Sequence, residues 1–126
     1  MTRMTKKFKI LAQFIKDISS ETPNIQSYIY VKENISKYHL SIDISSEPLK
    51  NKMIEVSTTL KFEDKEPNEK KSYFEIIYVS IVKIDEDIKD KKDLEKIILC
   101  DVQNDIYPNL EKAFLDLLHN SGFPEV

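Results

Sequence analysis

The stretch Tyr73-Phe74-Glu75-Ile76-Ile77-Tyr78-Val79-Ser80-Ile81-Val82-Lys83-Ile84 decides the fold. Read with the two-residue period of a strand, Phe74, Ile76, Tyr78, Val82 and Ile84 line one face. Tyr73, Ile77, Val79 and Ile81 make the opposite face apolar too, with Glu75 among them. Both faces therefore need cover. A central strand buried on both sides would do, but the chain offers only two helical candidates to lie on a sheet, which favours an oligomeric or ligand-binding face.

Working outward, two earlier runs alternate on one face only. From Ile35 to Ser45, Tyr38, Leu40, Ile42 and Ile44 oppose Lys37, His39, Ser41 and Asp43, as in a half-buried strand. Glu47-Pro48-Leu49-Lys50-Asn51-Lys52 makes a turn, and Ile54, Val56, Thr58, Leu60 and Phe62 then alternate with Glu55, Ser57, Thr59 and Lys61. The two runs predict an antiparallel hairpin. Glu63 to Lys71 is charged, contains Pro67, and predicts a solvated loop. Phe8 to Ile18 is ambiguous: Phe8, Ile10, Ala12 and Phe14 alternate, while Phe8, Leu11, Ile15 and Ile18 keep helical spacing.

Beyond the acidic linker Asp85 to Asp93, Leu94, Ile97, Ile98 and Val102 fit a short helix. Pro108 suits the first turn of a second, longer one, whose apolar face is Leu110, Ala113, Phe114, Leu117 and Leu118 and whose stop is Gly122. The whole is an α+β domain spanning residues 1–126.

Composition narrows the function. The 126 residues, 33% charged and 40% hydrophobic, fit one globular domain rather than a disordered tail. Net charge is -3 with acids and bases interleaved and Arg3 the sole arginine, so no basic field exists to attract nucleic acid. One cysteine, Cys100, excludes an internal disulfide and suits a reducing cytoplasm. Lys9, Gln13 and Lys16 interrupt the first apolar stretch before a signal-peptide core can form, and no run is long enough to span a membrane. A single glycine, Gly122, rules out the glycine-rich loops that cradle nucleotide phosphates.

Chemistry-bearing residues are sparse. His39 and His119 lack neighbours at zinc-ligand spacing, so no metal and no cofactor is expected. Cys100, within Ile97-Ile98-Leu99-Cys100, reads as a small buried thiol. The run Asp85-Glu86-Asp87 reads as a solvated linker without the glycine and spacing of a calcium loop. Nothing marks an enzyme.

Two motifs carry a resemblance. Lys16-Asp17-Ile18-Ser19-Ser20-Glu21-Thr22-Pro23-Asn24 resembles the K-D-[IL]-S-x-E-x-P-N signature of the SecB protein-export chaperones, and Gln103-Asn104-Asp105-Ile106-Tyr107-Pro108 resembles the family's P-N-x-[LI]-F-P, with Phe123-Pro124 matching a following F-P. Gln103 stands in place of the usual proline, Val79 and Ser80 stand where glycines are common, and the family pattern continues into a further helix and tail past the position of Val126.

The resemblance implies a four-stranded antiparallel sheet followed by a short and a longer C-terminal helix, with the ambiguous first run a strand. It implies a cytoplasmic, ATP-independent holdase, assembled as a homotetramer (a dimer of dimers), that keeps precursor proteins unfolded and delivers them to the SecA ATPase without itself entering the membrane. By the same resemblance Asp17, Glu21 and Glu75 would meet the basic, zinc-bearing tail of SecA, and Tyr28, Ile29 and Tyr30 would line a client groove. Phe74, Ile76 and Tyr78 would lie at subunit contacts. A SecB-like chaperone of a toxin–antitoxin system is the nearest alternative, and a small α+β enzyme or ligand carrier the more distant one.

Overall fold

The computed structural model describes residues 7–64 and 72–124. Arg3, Lys6, Val126 and most of the expected loop around Pro67 lie outside the described residues. The chain runs β1 (Phe8–Glu21), α1 (Ile25–Glu33), a 3-10 turn (Ile35–Lys37), β2 (Tyr38–Pro48), β3 (Met53–Asp64), β4 (Tyr73–Ile84), α2 (Lys91–Lys96), a π-helical turn (Ile97–Asp101) and α3 (Val102–Asn120). The strands form one antiparallel sheet in the order β1-β4-β3-β2.

The first run is thus a strand, and its register explains the mixed periodicity. Irregularities between Ile10 and Ala12 and between Ile15 and Asp17 each insert an extra residue. Cross-strand partners share a face. Pairing with Ile84, Val82, Ser80, Tyr78 and Ile76 therefore places Phe8, Ile10, Gln13, Ile15 and Ile18 on the helix-bearing face. That spacing belongs to neither simple period.

The hairpin forms as expected, with β2 and β3 pairing from Tyr38↔Asp64 to Pro48↔Ile54. Its turn puts Asn51 and Lys52 in the left-handed region at φ 61 and 60. Asn tolerates that conformation well and Lys poorly.

The core is the helix-bearing face of the sheet. Val56, Leu60, Phe74, Ile76 and Val82 pack with Val102, Ile106, Leu110, Phe114 and Leu118, which recur at four-residue steps along α3. Phe62 meets Phe114 edge-on at 6.1 Å between ring centres. Gln103 links helix and sheet. Its Oε1 accepts from Thr58 Oγ1 at 3.2 Å, and its Nε2 donates to the Ile98 carbonyl in the π turn at 3.3 Å.

Three sequence expectations are corrected here. Pro108 does not open a helix but lies inside α3, which the π turn joins to α2. The proline has no N–H to give Asn104, but both residues are exposed, so water can satisfy that carbonyl. Cys100 is exposed, because Ile97 and Ile98 take the inward positions of the π turn and leave Leu99 and Cys100 outside. Finally, the Phe74 face of β4 is covered by this chain's own α3 and needs no partner to bury it.

At the start of β4, the Tyr38 hydroxyl donates to the Ser72 carbonyl at 2.9 Å and accepts from the Ser72 N–H at 3.1 Å. Burial, reinforced by the charges of Asp64 and Glu63 and opposed by the Ser72 bond, raises the Tyr38 pKa above 10.0. Tyr78 is raised too, by burial. A raised folded-state pKa means stability that is full below pH 10 and declines as pH climbs through the folded value. Tyr38→Phe should therefore flatten the alkaline fall in denaturation midpoint above pH 10. At neutral pH it should lose about 1–3 kcal/mol by orphaning the two Ser72 backbone groups. Denaturation series at pH 8 and at pH 10–11 would check both effects.

Candidate functional site

The face of the sheet away from the helices carries the acids singled out from the sequence. Asp17 pairs with Ile77, Ser19 with Glu75 and Glu21 with Tyr73, so Asp17, Glu21 and Glu75 share that face on adjacent strands. Asp17 and Glu21 are exposed and Glu75 is half-buried. Ser19 Oγ donates to Asp17 Oδ2 at 2.7 Å, which orients that carboxylate. Next along the row, Lys61 pairs with Glu75 in register and its Nζ approaches Glu63 Oε2 at 3.8 Å.

Beside the acids runs an apolar strip. Phe14 opposes Val79 on the same face; Phe14 is half-exposed, while Val79 is buried yet stands apart from the core cluster. Ile77 and Ile81 continue the strip along β4, partly exposed. An acid-bordered apolar strip can hold a basic segment that also brings apolar side chains.

The proposed groove residues separate. Tyr28, Ile29 and Tyr30 lie not on a bare crossing segment but on α1, which Asn24 caps by accepting from the Ser27 N–H at 2.9 Å. Successive helical positions diverge by about 100°. Tyr28 stacks on Phe123 at 5.1 Å and donates to the Gly122 carbonyl at 2.9 Å, and Tyr30 donates to Asp64 Oδ2 at 2.7 Å. Both tyrosines anchor α1. Ile29 points out, and with Ile25 one turn earlier it forms an exposed stripe.

Phe74 and Ile76 are fully buried and Tyr78 nearly so, its hydroxyl donating to Gln13 Oε1 at 2.8 Å. They form the floor beneath α3 rather than a free contact surface.

What the sequence reading missed are apolar residues left open on the helix-bearing face. Leu40 is 47% exposed and Ile42 51%, although both alternate as buried positions should. Across the sheet, Ile15 and Ile18 on β1 are similarly uncovered. The cause is width: α3 covers the two central strands, and on the edge strands Phe8, Ile10, Tyr38 and Ile44 reach the core while Ile15, Ile18, Leu40 and Ile42 do not. Alternation reports which face a residue takes, not whether a helix reaches it.

Among the described residues, no group of three or more His, Cys, Asp or Glu side chains is placed to hold a metal, and no helix is long and apolar enough to cross a membrane.

Comparison with known proteins places these features. Residues 2–126 match the family described as SecB, preprotein translocase subunit SecB. A putative protein-export protein SecB of Pelagibacter ubique (strain HTCC1062) is 57% identical over 123 residues, covering 98% of this chain and 88% of that protein. The protein-export protein SecB of Bartonella quintana is 23% identical over 117 residues, covering 93% of this chain and 73% of its own length. Among solved structures, the fold is similar to that of a SecB-like chaperone of Mycobacterium tuberculosis in complex with a ChAD peptide from the HigA1 antitoxin. That likeness has a TM-score of 0.67 at 10% identity, covering 95% of this chain and 88% of that one.

Proposed function

The chain belongs to the SecB family of protein-export chaperones, and from that membership we propose that it is an ATP-independent holdase that binds unfolded precursors in the cytoplasm and passes them to SecA. One observation carries the holding step: apolar side chains stand uncovered on the helix-bearing face along both sheet edges, Leu40 and Ile42 on one side and Ile15 and Ile18 on the other. A folded protein seldom leaves such strips open without a use. Unfolded chains offer matching apolar surface, whereas a small enzyme would need convergent polar groups in one cavity.

The transfer step rests on the opposite face, where Asp17, Glu21 and Glu75 border the Phe14–Val79 strip. Tyr28 and Tyr30 serve the groove indirectly, by fixing α1 so that Ile25 and Ile29 stay presented. A homotetramer is part of the proposal. Its contacts would run along the outer edge of β1 beside the exposed Leu11, with Phe74, Ile76 and Tyr78 supporting β1 from the neighbouring strand and Ile15 and Ile18 left open for clients.

Holding has a direct test. Stoichiometric protein should slow the refolding of a slow-folding client without nucleotide, and light scattering should give a mass near four chains. Refolding untouched by excess protein, or a strict need for ATP, would sink the holdase reading. The fold likeness to an antitoxin-bound chaperone, at 10% identity, speaks for the fold alone; binding to the SecA tail is what separates the two roles.

A further inference from the structure

We propose that the turn end of the β2–β3 hairpin is a binding site for a free medium-chain carboxylate, which puts its aliphatic tail in an apolar cavity and its charge on Lys52. The inference goes beyond the holdase reading. Neither Leu40 nor Ile42 lines this cavity.

The cavity measures about 200 Å³. The hairpin contributes Pro48, Leu49, Met53 and Ile54, and Ile84 joins them from the end of β4. Ile88 of the following linker and Leu94 of α2 complete the lining. Leu49 is 41% exposed, and Ile54, Ile88 and Leu94 pack against the core yet stay partly exposed. The chain itself leaves these apolar side chains wet, and an aliphatic ligand would take them out of water.

Lys52 is the only charged residue among the described residues that line the cavity, and its place in the chain is unusual. Lys50–Met53 is a tight turn in which the Met53 N–H donates to the Lys50 carbonyl at 3.2 Å, with Asn51 and Lys52 both left-handed at φ 61 and 60. Glycine is favoured at the second of these positions, because a Cβ is strained there. The Ile84 N–H donates to the Lys52 carbonyl at 3.1 Å, which holds the strained residue in the ladder.

What lysine adds over glycine is its side chain, and that side chain lines the cavity. Strain retained where another residue would avoid it points to a use for the residue that bears it. The Lys52 Nζ donates only to the Glu86 carbonyl, at 3.5 Å, and among the described residues no carboxylate pairs with it. An ammonium has three donors, so capacity for an anion remains beside the apolar walls.

A purely apolar ligand would leave that ammonium unused, and an inorganic anion would leave the walls wet. A carboxylate with an aliphatic tail satisfies both. An apolar cavity of about 150 Å³ takes benzene, so this one fits a tail of about six to eight carbons. Such a tail is shorter than the chains that fill half of a bilayer core about 30 Å thick, which favours a free acid over a membrane lipid.

The test titrates the full chain with butanoate, hexanoate, octanoate and dodecanoate, each below its micelle concentration, and follows the methyl signals of Ile54, Ile88 and Leu94. Affinity should rise about fourfold per added methylene as far as octanoate and then level off, since each buried methylene contributes about 0.8 kcal/mol. Octan-1-ol keeps the tail without the charge and should bind at least threefold more weakly. Unmoved methyl signals, equal affinities for octanoate and octanol, or an affinity still climbing at dodecanoate overturn the proposal.

Lys52→Gly removes the strain and the ammonium together. The denaturation midpoint should hold or rise, octanoate should fall to the level of octanol, and octanol should bind as before. Octanoate binding that survives this change overturns the site. Ile88→Phe fills the cavity and should weaken both ligands at least tenfold, and undiminished binding overturns the cavity. Binding to phosphatidylglycerol vesicles without binding to octanoate would mark a headgroup site and equally overturn the proposal. Client holding should persist in saturating octanoate; if octanoate and client exclude each other, the cavity is a pocket for client side chains and the proposal falls.

Discussion

Gly122→Ala should lose about 3 kcal/mol of folding stability and loosen the first helix. The glycine sits at φ +105, where L side chains are strained, and a Cβ built there falls 2.6 Å from Tyr28 Cε1. The tyrosine ring cannot retreat freely. It stacks on Phe123 at 5.1 Å, and its hydroxyl donates to the carbonyl of Gly122 itself at 2.9 Å. Backbone strain of about 1–2 kcal/mol adds to the weakening of an aromatic pair and a hydrogen bond, each worth about 0.5–1.5 kcal/mol.

Phe123 also meets Phe74 edge-on at 5.8 Å, so the disturbance reaches the core. Against a typical total of about 5–15 kcal/mol this is a large fraction. Urea denaturation should show the lowered midpoint, and hydrogen exchange should show faster opening of Ile25–Glu33 than of β4. If stability is unchanged, Tyr28 is not the anchor of α1. The comparison variant Tyr28→Phe removes the hydroxyl alone and should lose only about 1 kcal/mol.

The second large effect concerns the acidic face. Reversing Asp17, Glu21 and Glu75 to lysine together should weaken binding of the basic SecA tail at least tenfold, about 1.4 kcal/mol. Exposed pairs contribute about 0.2–1 kcal/mol each, and reversal replaces attraction by repulsion at three neighbouring positions. Wild-type binding should weaken as salt rises, and the triple variant should respond much less or in the opposite sense. Client holding should survive, because Leu40, Ile42, Ile15 and Ile18 lie on the other face of the sheet. Titration of the tail peptide against both proteins checks it. Equal affinities would leave these acids as ordinary solvated charges and favour a chaperone role apart from export.

The acids were legible because two motif positions, Asp17 and Glu21, and one strand position, Glu75, fix their spacing, and register then brings them to one face. The orientation of the proposed groove residues was not legible in the same way. Tyr28, Ile29 and Tyr30 are contiguous in sequence, but helical geometry turns two of them inward and one outward. Nothing in the letters Ser27-Tyr28-Ile29-Tyr30-Val31 says which tyrosine finds a carbonyl ninety-four positions away in the chain. Leu40 and Ile42 mislead for a related reason, since their alternation matches that of Val56 and Leu60, which are buried.

By itself the sequence determined the local elements whose signals are short-range. These are the hairpin of β2 and β3, the two-faced β4, the apolar stripe of α3 and the family motifs around Asp17 and Pro108. Periodicity and turn residues act within a few positions, so they survive without knowledge of neighbours. Tertiary structure decided everything that depends on which element covers which. One helix laid along a four-stranded sheet covers its central strands and only part of its edge strands, so identical alternation yields core at Leu60 and open surface at Ile42. It likewise buried Phe74 and Ile76 under α3 and turned Cys100 outward at the π turn. Burial is a property of the assembled layers, because apolar area is removed from water only where a second surface arrives to cover it.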